Sequence, residues 1–435
     1  MLSPRLFVCA PEQASVHPRV LTVSPSKANR VFAPRRRVPM QSRRTFALWL
    51  FLFCLISPLA VTQVYKVTDL GPLAPTAINM WGQVVGNLNG QAYIWTQFAG
   101  LKGLGTLTGG TSSYAASIND LGAVTGTADG PFTLISPYPS VPNEYCSDLT
   151  QPFVWTAGQG MHGLGGVVPF YNIYPWCEEL SFYGAGINAR GQVVGYTGAY
   201  GTIQYGLLWT STNGMTVFGG SWPPTFVNVI SNTGQMVGQN STGADFGIGH
   251  ATSWKNGVAT DLGTLGGAIV LGDCAFAIPA VCFGSSADGV NDLGQVVGWS
   301  TTSPISQYES SPVHAVLWTP SGTISDLGAL PGDTSSSAWK INFFGLVIGS
   351  SGDTPFFDYG PTSDYGFPFE VIGRPFIWSE RSGMQDLNTL ISAKSGWVLN
   401  SATGINFWGQ IVGSGMRNGK PHGFLLTPKF HPEKE

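Results

Sequence analysis

Three histidines, His250, His314 and His422, each open an apolar run, and three imidazoles are a common donor set for zinc. Each belongs to a different copy of a repeat, whereas the ligands of one ion must all come within about 2 Å of it. A structural role is therefore expected, with the side chain tying a strand end to a neighbouring turn; Gln91, Gln151, Tyr205 and Arg374 hold the same place in other copies. No metal and no cofactor is expected. Glu178 and Glu179 follow Trp176, and with Asp353, Asp358 or Asp364 opposite they could form the carboxyl pair of glycosidic chemistry. Sequence does not set the separation that such a pair requires. No GxSxG, HExxH, phosphate-loop or EF-hand pattern occurs, so no further catalytic constellation can be assembled. Tyr171, Tyr174 and Trp176, with Tyr359 elsewhere, are amphipathic rings suited to a sugar or a protein surface, or to packing their own loops. The tentative ligand-binding set is Tyr171, Tyr174, Trp176, Glu178, Glu179 and Tyr359, with no residue assigned a catalytic role.

What must position these residues is a repeat. "INMWGQVVGN" begins at Ile78, "INARGQVVGY" at Ile187, "VNDLGQVVGW" at Val290 and "INFWGQIVGS" at Ile405. Related turn-and-strand cores occupy 79–86, 119–126, 188–195, 231–238, 291–298, 342–349 and 406–413. The Asn bonds local backbone and the Gly supplies positive φ, so both read as turn residues. After six of the cores an apolar strand ends in Trp95, Trp155, Trp209, Trp254, Trp318 or Trp378, and in the seventh Leu426 stands instead. A Gly turn and a short strand bearing Asp, such as Asp261 or Asp326, follow. Each copy thus holds four short strands, the size of a propeller blade. The fold expected is all-β, a seven-bladed β-propeller of four-stranded blades closed by its N- and C-terminal segments. The last copy lacks a fourth strand, and residues 64–73 read as a fourth strand with no blade before it. Pairing the two removes an open sheet edge.

The units resemble those of the HAF-repeat family of exported bacterial proteins, whose repeats read close to "INDLGQVVG", "HAFLWT" and "MxDLGTLGG". The resemblance covers about residues 64–428, and His250-Ala251, His314-Ala315 and His422-Gly423 match its first letters only in part. It implies an exported repeat protein and supplies no reaction.

The chain has 435 residues, 10% of them charged, and a net charge of −3, which gives nucleic acid no basic surface to bind. Arg35, Arg36, Arg37, Arg43 and Arg44 precede an apolar run at 45–61, the order of a secretion signal. Residues 1–39 are expected to be a mis-called or disordered leader, 40–62 the signal, 63–428 the propeller and 429–435 a polar tail. Ala60-Val61-Thr62 is the best cleavage site; an uncleaved run would anchor the protein in a membrane, near the lower length limit for spanning. The location expected is secreted or at the cell surface. Length differences between units fall at 128–151, 167–184, 268–288, 301–312 and 352–374, all on one face of the disc. Those loops hold Cys146, Cys177, Cys274 and Cys282. Four cysteines allow three pairings, and Cys146 with Cys177 and Cys274 with Cys282 avoids crossing the disc. Unequal loops on a rigid scaffold are a usual place for recognition. The expectation is a monomeric binding or scaffold protein with an extracellular glycan or protein ligand; the alternative is an extracellular carbohydrate-active enzyme with an acidic site in the loops.

Overall fold

The alternation of Val, Gly and polar residues between Gly-bearing turns yields short antiparallel strands that lie in sequence order in each sheet, here called a to d. The computed structural model describes residues 64–138, 142–147, 149–167, 180–199, 203–219, 225–240, 248–266, 282–303, 312–353, 355–356, 370–371 and 373–429. Sheets of this kind are built by units I (74–103), II (113–163), III (180–218), IV (226–261), V (285–326) and VI (335–386). Unit VII joins residues 397–429 to the strand Val64–Asp69 from the start of the described chain. Val64 lies opposite Lys429 and Asp69 opposite Phe424, an antiparallel register that supplies the missing fourth strand. Together the sheets form an all-β propeller.

The blade count expected from sequence needs a correction. Among the described residues there are eight sheets of three or more strands where seven blades were expected. The additional one is three-stranded and comes from the segment between strands b and c of unit II, taken in the sequence as a plain loop. Phe132–Ile135 and Glu144–Cys146 form a hairpin there, and Gly166–Val167 adds to it in parallel. Phe132 and Leu134 point inward while Thr133 and Ile135 face solvent, and Phe182 closes edge-on over Phe132 with centroids 6.2 Å apart. The insertion therefore has a small core of its own against unit III.

Most of the core lies between neighbouring sheets. Val85 and Ile94 of unit I meet Val124, Phe153 and Trp155 of unit II, and Val297 and Leu317 of unit V meet Val347 and Phe376 of unit VI. Of the strand-c Trp expected in the core, Trp155, Trp254 and Trp318 are buried, whereas Trp95, Trp209 and Trp378 are half-buried against the core clusters, and Leu426 fills that place in unit VII. The last glycine of the repeat has a steric cause. A Cβ on Gly298 would overlap the backbone carbonyl of Ser286, because strand a bulges there and crosses close over strand b. Only glycine admits that approach.

Candidate functional site

In every unit the a–b and c–d turns emerge on one face and the b–c and d–a connections on the other. Tyr171, Tyr174, Trp176, Glu178, Glu179 and Tyr359 belong to the second class of connection and lie outside the described residues. So do Cys177 and Cys274, and for Cys282 only the backbone is described, paired in parallel with Ile248. Cys146 ends the insertion hairpin, is buried and is disulfide-bonded. Of the other loop rings, Tyr183 stacks at 5.1 Å on Tyr196, while Tyr145 is exposed. The expected loop site is thus represented here by its rim.

The three histidines do not converge. His250 Nδ1 lies 2.8 Å from Asp261, His314 Nδ1 2.9 Å from Asp326 and His422 Nδ1 2.8 Å from Asp69, each carboxylate being the strand-d Asp of the same unit. The carboxylate in turn accepts the N–H two residues on, as Asp261 does from Gly263 and Asp326 from Gly328. Arg374 takes the same position in unit VI and pairs with Asp333 and Asp386. Asp69 also pairs with Arg417; partial burial raises its pKa, but the bonds from Gly71, His422 and Arg417 outweigh that and hold it below the ordinary value. No group of three metal-donor side chains occurs among the described residues.

The repeated Asn does more than close its own turn. Asn79 Oδ1 accepts the N–H groups of Trp81 and Gln83, while its Nδ2 donates 3.1 Å to the carbonyl of Asn119 in the next unit. Asn119 donates to Asn188, Asn188 to Ser231, Asn291 to Asn342, Asn342 to Asn406, and Asn406 back to Asn79. Only at Ser231 is the side chain too short, and there Asn232 bridges to Asp292 instead. This belt surrounds a mouth of about 270 Å³ on the short-turn face, lined by each unit in turn, from Ile78 and Met80 round to Asn406 and Phe407.

Deeper along the strand-a bulges sits a buried ionisable pair. Asp288 Oδ1 accepts from Asn228 Nδ2 at 2.8 Å and from Ser286 Oγ at 3.0 Å, and Lys340 Nζ donates to the Asp288 carbonyl at 3.2 Å. Burial pushes the Asp288 carboxyl up to about 6 despite those bonds and the lysine charge. Burial likewise lowers the pKa of Lys340, opposed in part by Asp288. A second cavity, about 640 Å³, runs between the insertion, strand d of unit II and the c–d turn of unit III, with Gln151 and His162 in its wall. Gln151 is already engaged, accepting from Gly165 and donating to Gly130.

The residues that sequence reasoning passed over are the two at the tip of each a–b turn. Trp81 is 70% exposed, Leu121 78%, Phe344 63% and Trp408 58%, and Phe343 and Leu293 are exposed as well. Phe343, Phe344, Phe407 and Trp408 touch ring to ring, with the Phe344 and Phe407 centroids 4.8 Å apart. Unit III has Ala189-Arg190 at these tips and unit IV Asn232-Thr233, so the apolar arc spans the adjoining units V, VI, VII, I and II, with Asp120 and Asp292 beside Leu121 and Leu293, and stops. The signal was in the sequence: "INFFG", "INFWG" and "INMWG" place aromatics where a tight turn ordinarily carries polar residues.

No known protein family matches this chain, and no curated protein does. Among solved structures, a chain of the Mitotic Checkpoint Complex is 12% identical, with 92% of this chain and 100% of that one covered at a TM-score of 0.40. Virginiamycin B lyase from Staphylococcus aureus is 10% identical over 83% of this chain and 99% of its own, at 0.44. The β-propeller domain of the Trilobed protease from Pyrococcus furiosus, described as having an open velcro topology, is 9% identical over 83% and 93%, at 0.40. At these identities no activity passes from any of them to this chain.

Proposed function

We infer that the chain is an exported HAF-repeat protein whose ring of seven repeat units serves as a binding or scaffold module, with recognition on the long-loop face. The observation that carries this reading is the fate of the repeated polar side chains. His250, His314 and His422 are held by Asp261, Asp326 and Asp69, and the Asn belt is consumed in turn closure and in links between units. Groups engaged alike in unit after unit are framework, which leaves the unequal loops as the part free to differ for a ligand. The basic residues and apolar run ahead of residue 62 support export, and oxidised Cys146 suits an oxidising compartment. The ligand class proposed is an extracellular glycan or protein.

The test is a glycan array probed with the full chain, with hydrolysis measured on the same sugars. Binding without product, weakened by Trp176→Ala or Tyr174→Ala at unchanged melting temperature, supports the reading. Turnover that disappears in Glu178→Gln or Glu179→Gln would replace it with the carbohydrate-active alternative, since a general acid acts chiefly in the transition state.

A further inference from the structure

We propose that the short-turn face rests on the lipid bilayer from which the chain emerges, with Trp81, Phe343, Phe344 and Trp408 seated in the membrane interface and the long-loop face turned outward. Three independent features meet on this face. The first is where the ring begins. Strand d runs from the short-turn face to the loop face, so Val64, which starts strand d of unit VII, stands on the short-turn side opposite Lys429. In the sequence the apolar run 45–61 ends with only Thr62 and Gln63 before that residue. Two residues span at most about 7 Å, so the covalent path from the end of that run to the start of this strand is short.

The second feature is the position of the arc. Its centre, Phe407 and Trp408, belongs to unit VII, the unit that contains Val64, and its flanks are the neighbouring units VI and I. Phe98 at the c–d turn of unit I, 100% exposed, extends it toward the rim. The polar tips, Arg190 and Asn232 with Thr233, lie away from Val64 around the ring. A partner meeting the face along its axis would give no reason for this asymmetry, whereas a surface approached from the point of attachment does.

The third is that the tips can be desolvated cheaply. Trp81 Nε1 donates 2.8 Å to the Asp120 carbonyl and Trp408 Nε1 3.0 Å to the Met80 carbonyl, so neither indole N–H needs water. Within the turns, the N–H groups of Trp81, Gln83, Phe344, Leu346, Trp408 and Gln410 are taken by the belt asparagines. Apolar rings over satisfied backbone are what an interface accepts, and Trp is enriched there.

The inference rests on the export reading and on the apolar run staying uncleaved; the first is scored separately by whether externally added protease reaches the loop face of intact cells, the second by the mass of the membrane-bound protein. Its own test uses the full chain carrying Trp49→Phe, reconstituted in phosphatidylcholine vesicles with bromine near the top of the acyl chains. Trp fluorescence should show a quenched component that is lost when Trp81→Phe and Trp408→Phe are added, because these variants keep an apolar tip and remove the reporter. Equal quenching in both proteins, or none in either, would overturn the proposal. So would self-association in detergent that protects Trp81 and Trp408, which would make a second copy the occupant. As a second reading, a protease site placed between Thr62 and Gln63 should free the ring from its run. At least tenfold more protein should leave the vesicles when Trp81→Ser, Phe344→Ser and Trp408→Ser are present, at an unchanged melting temperature; complete release of the unsubstituted ring would refute it.

Discussion

Replacing Asn342 by alanine isolates what the belt contributes. Its side chain is buried; Oδ1 accepts the N–H groups of Phe344 and Leu346 at 3.0 Å each, and Nδ2 donates 3.1 Å to the Asn406 carbonyl across the unit boundary. Leu346 stands where most other units carry Gln, so no side-chain partner complicates the reading. A buried hydrogen bond is worth about 1 kcal/mol net, and a group left unsatisfied costs more. The Phe344 N–H lies in an exposed turn where water can replace the lost acceptor, so three broken bonds should cost about 2–3 kcal/mol in all. In urea the midpoint should fall with an unchanged slope, and the melting temperature should drop by roughly 3–4 °C. A loss below about 0.5 kcal/mol would refute the idea that the belt is a stability device, since surface substitutions reach that much. The natural exception gives the reciprocal experiment. Ser231 Oγ bonds Thr233 and accepts from Gln235, too short to reach unit V. Ser231→Asn should add the missing link to the Asn291 carbonyl and stabilise by about 0.5–1.5 kcal/mol; a less stable variant would count against the same reasoning.

Other outcomes follow from single sites. Because burial raises the folded Asp288 carboxyl to about 6, its protonation favours the folded state. That contribution is complete below the ordinary carboxylate range and is lost as pH rises through about 6, so Asp288→Asn should flatten the stability profile in this window, as read by urea titrations at several pH values. Asp129 has the opposite sign: partial burial is outweighed by bonds from the N–H and hydroxyl groups of Ser112 and Thr111, and its carboxyl falls to about 2. Its stabilisation is present above the usual range and disappears as pH falls through about 2; Asp129→Ala should cost about 1–2 kcal/mol at neutral pH and weaken the acid transition there. Gly298→Ala should cost more than about 3 kcal/mol or prevent folding, through its overlap with the Ser286 carbonyl, while Gly158→Ala, with open space at its Cβ, serves as the silent control in the same thermal melts.

Much of the architecture was written locally. Period-2 alternation, an Asn-x-x-Gly turn and a recurring Trp each act within about ten residues, so they announce strand, turn and core without knowledge of the rest of the chain. The orphan strand at Val64–Asp69 was legible for the same reason: an unpaired sheet edge is a cost that can be inferred from an incomplete repeat. The structural role of the histidines also followed, since side chains at equivalent positions of different units cannot share an ion, although their Asp partners across the c–d pair were not foreseen. Three things had to wait for the tertiary structure. That segment 128–151 makes a sheet of its own depended on a docking surface from unit III, including Phe182, far away in sequence. The second use of each Asn, as a donor to the next unit, depended on the distance between neighbouring turns, which no single repeat contains. Last, the turn tips looked interchangeable when read one at a time; only the ring places Phe343, Phe407, Trp408 and Trp81 side by side around one mouth, next to the point where the chain begins its path through the sheets. Local chemistry fixes what each repeat becomes, while the adjacency of surfaces is a property of closure, and closure is set by contacts between residues as distant as Asn79 and Asn406.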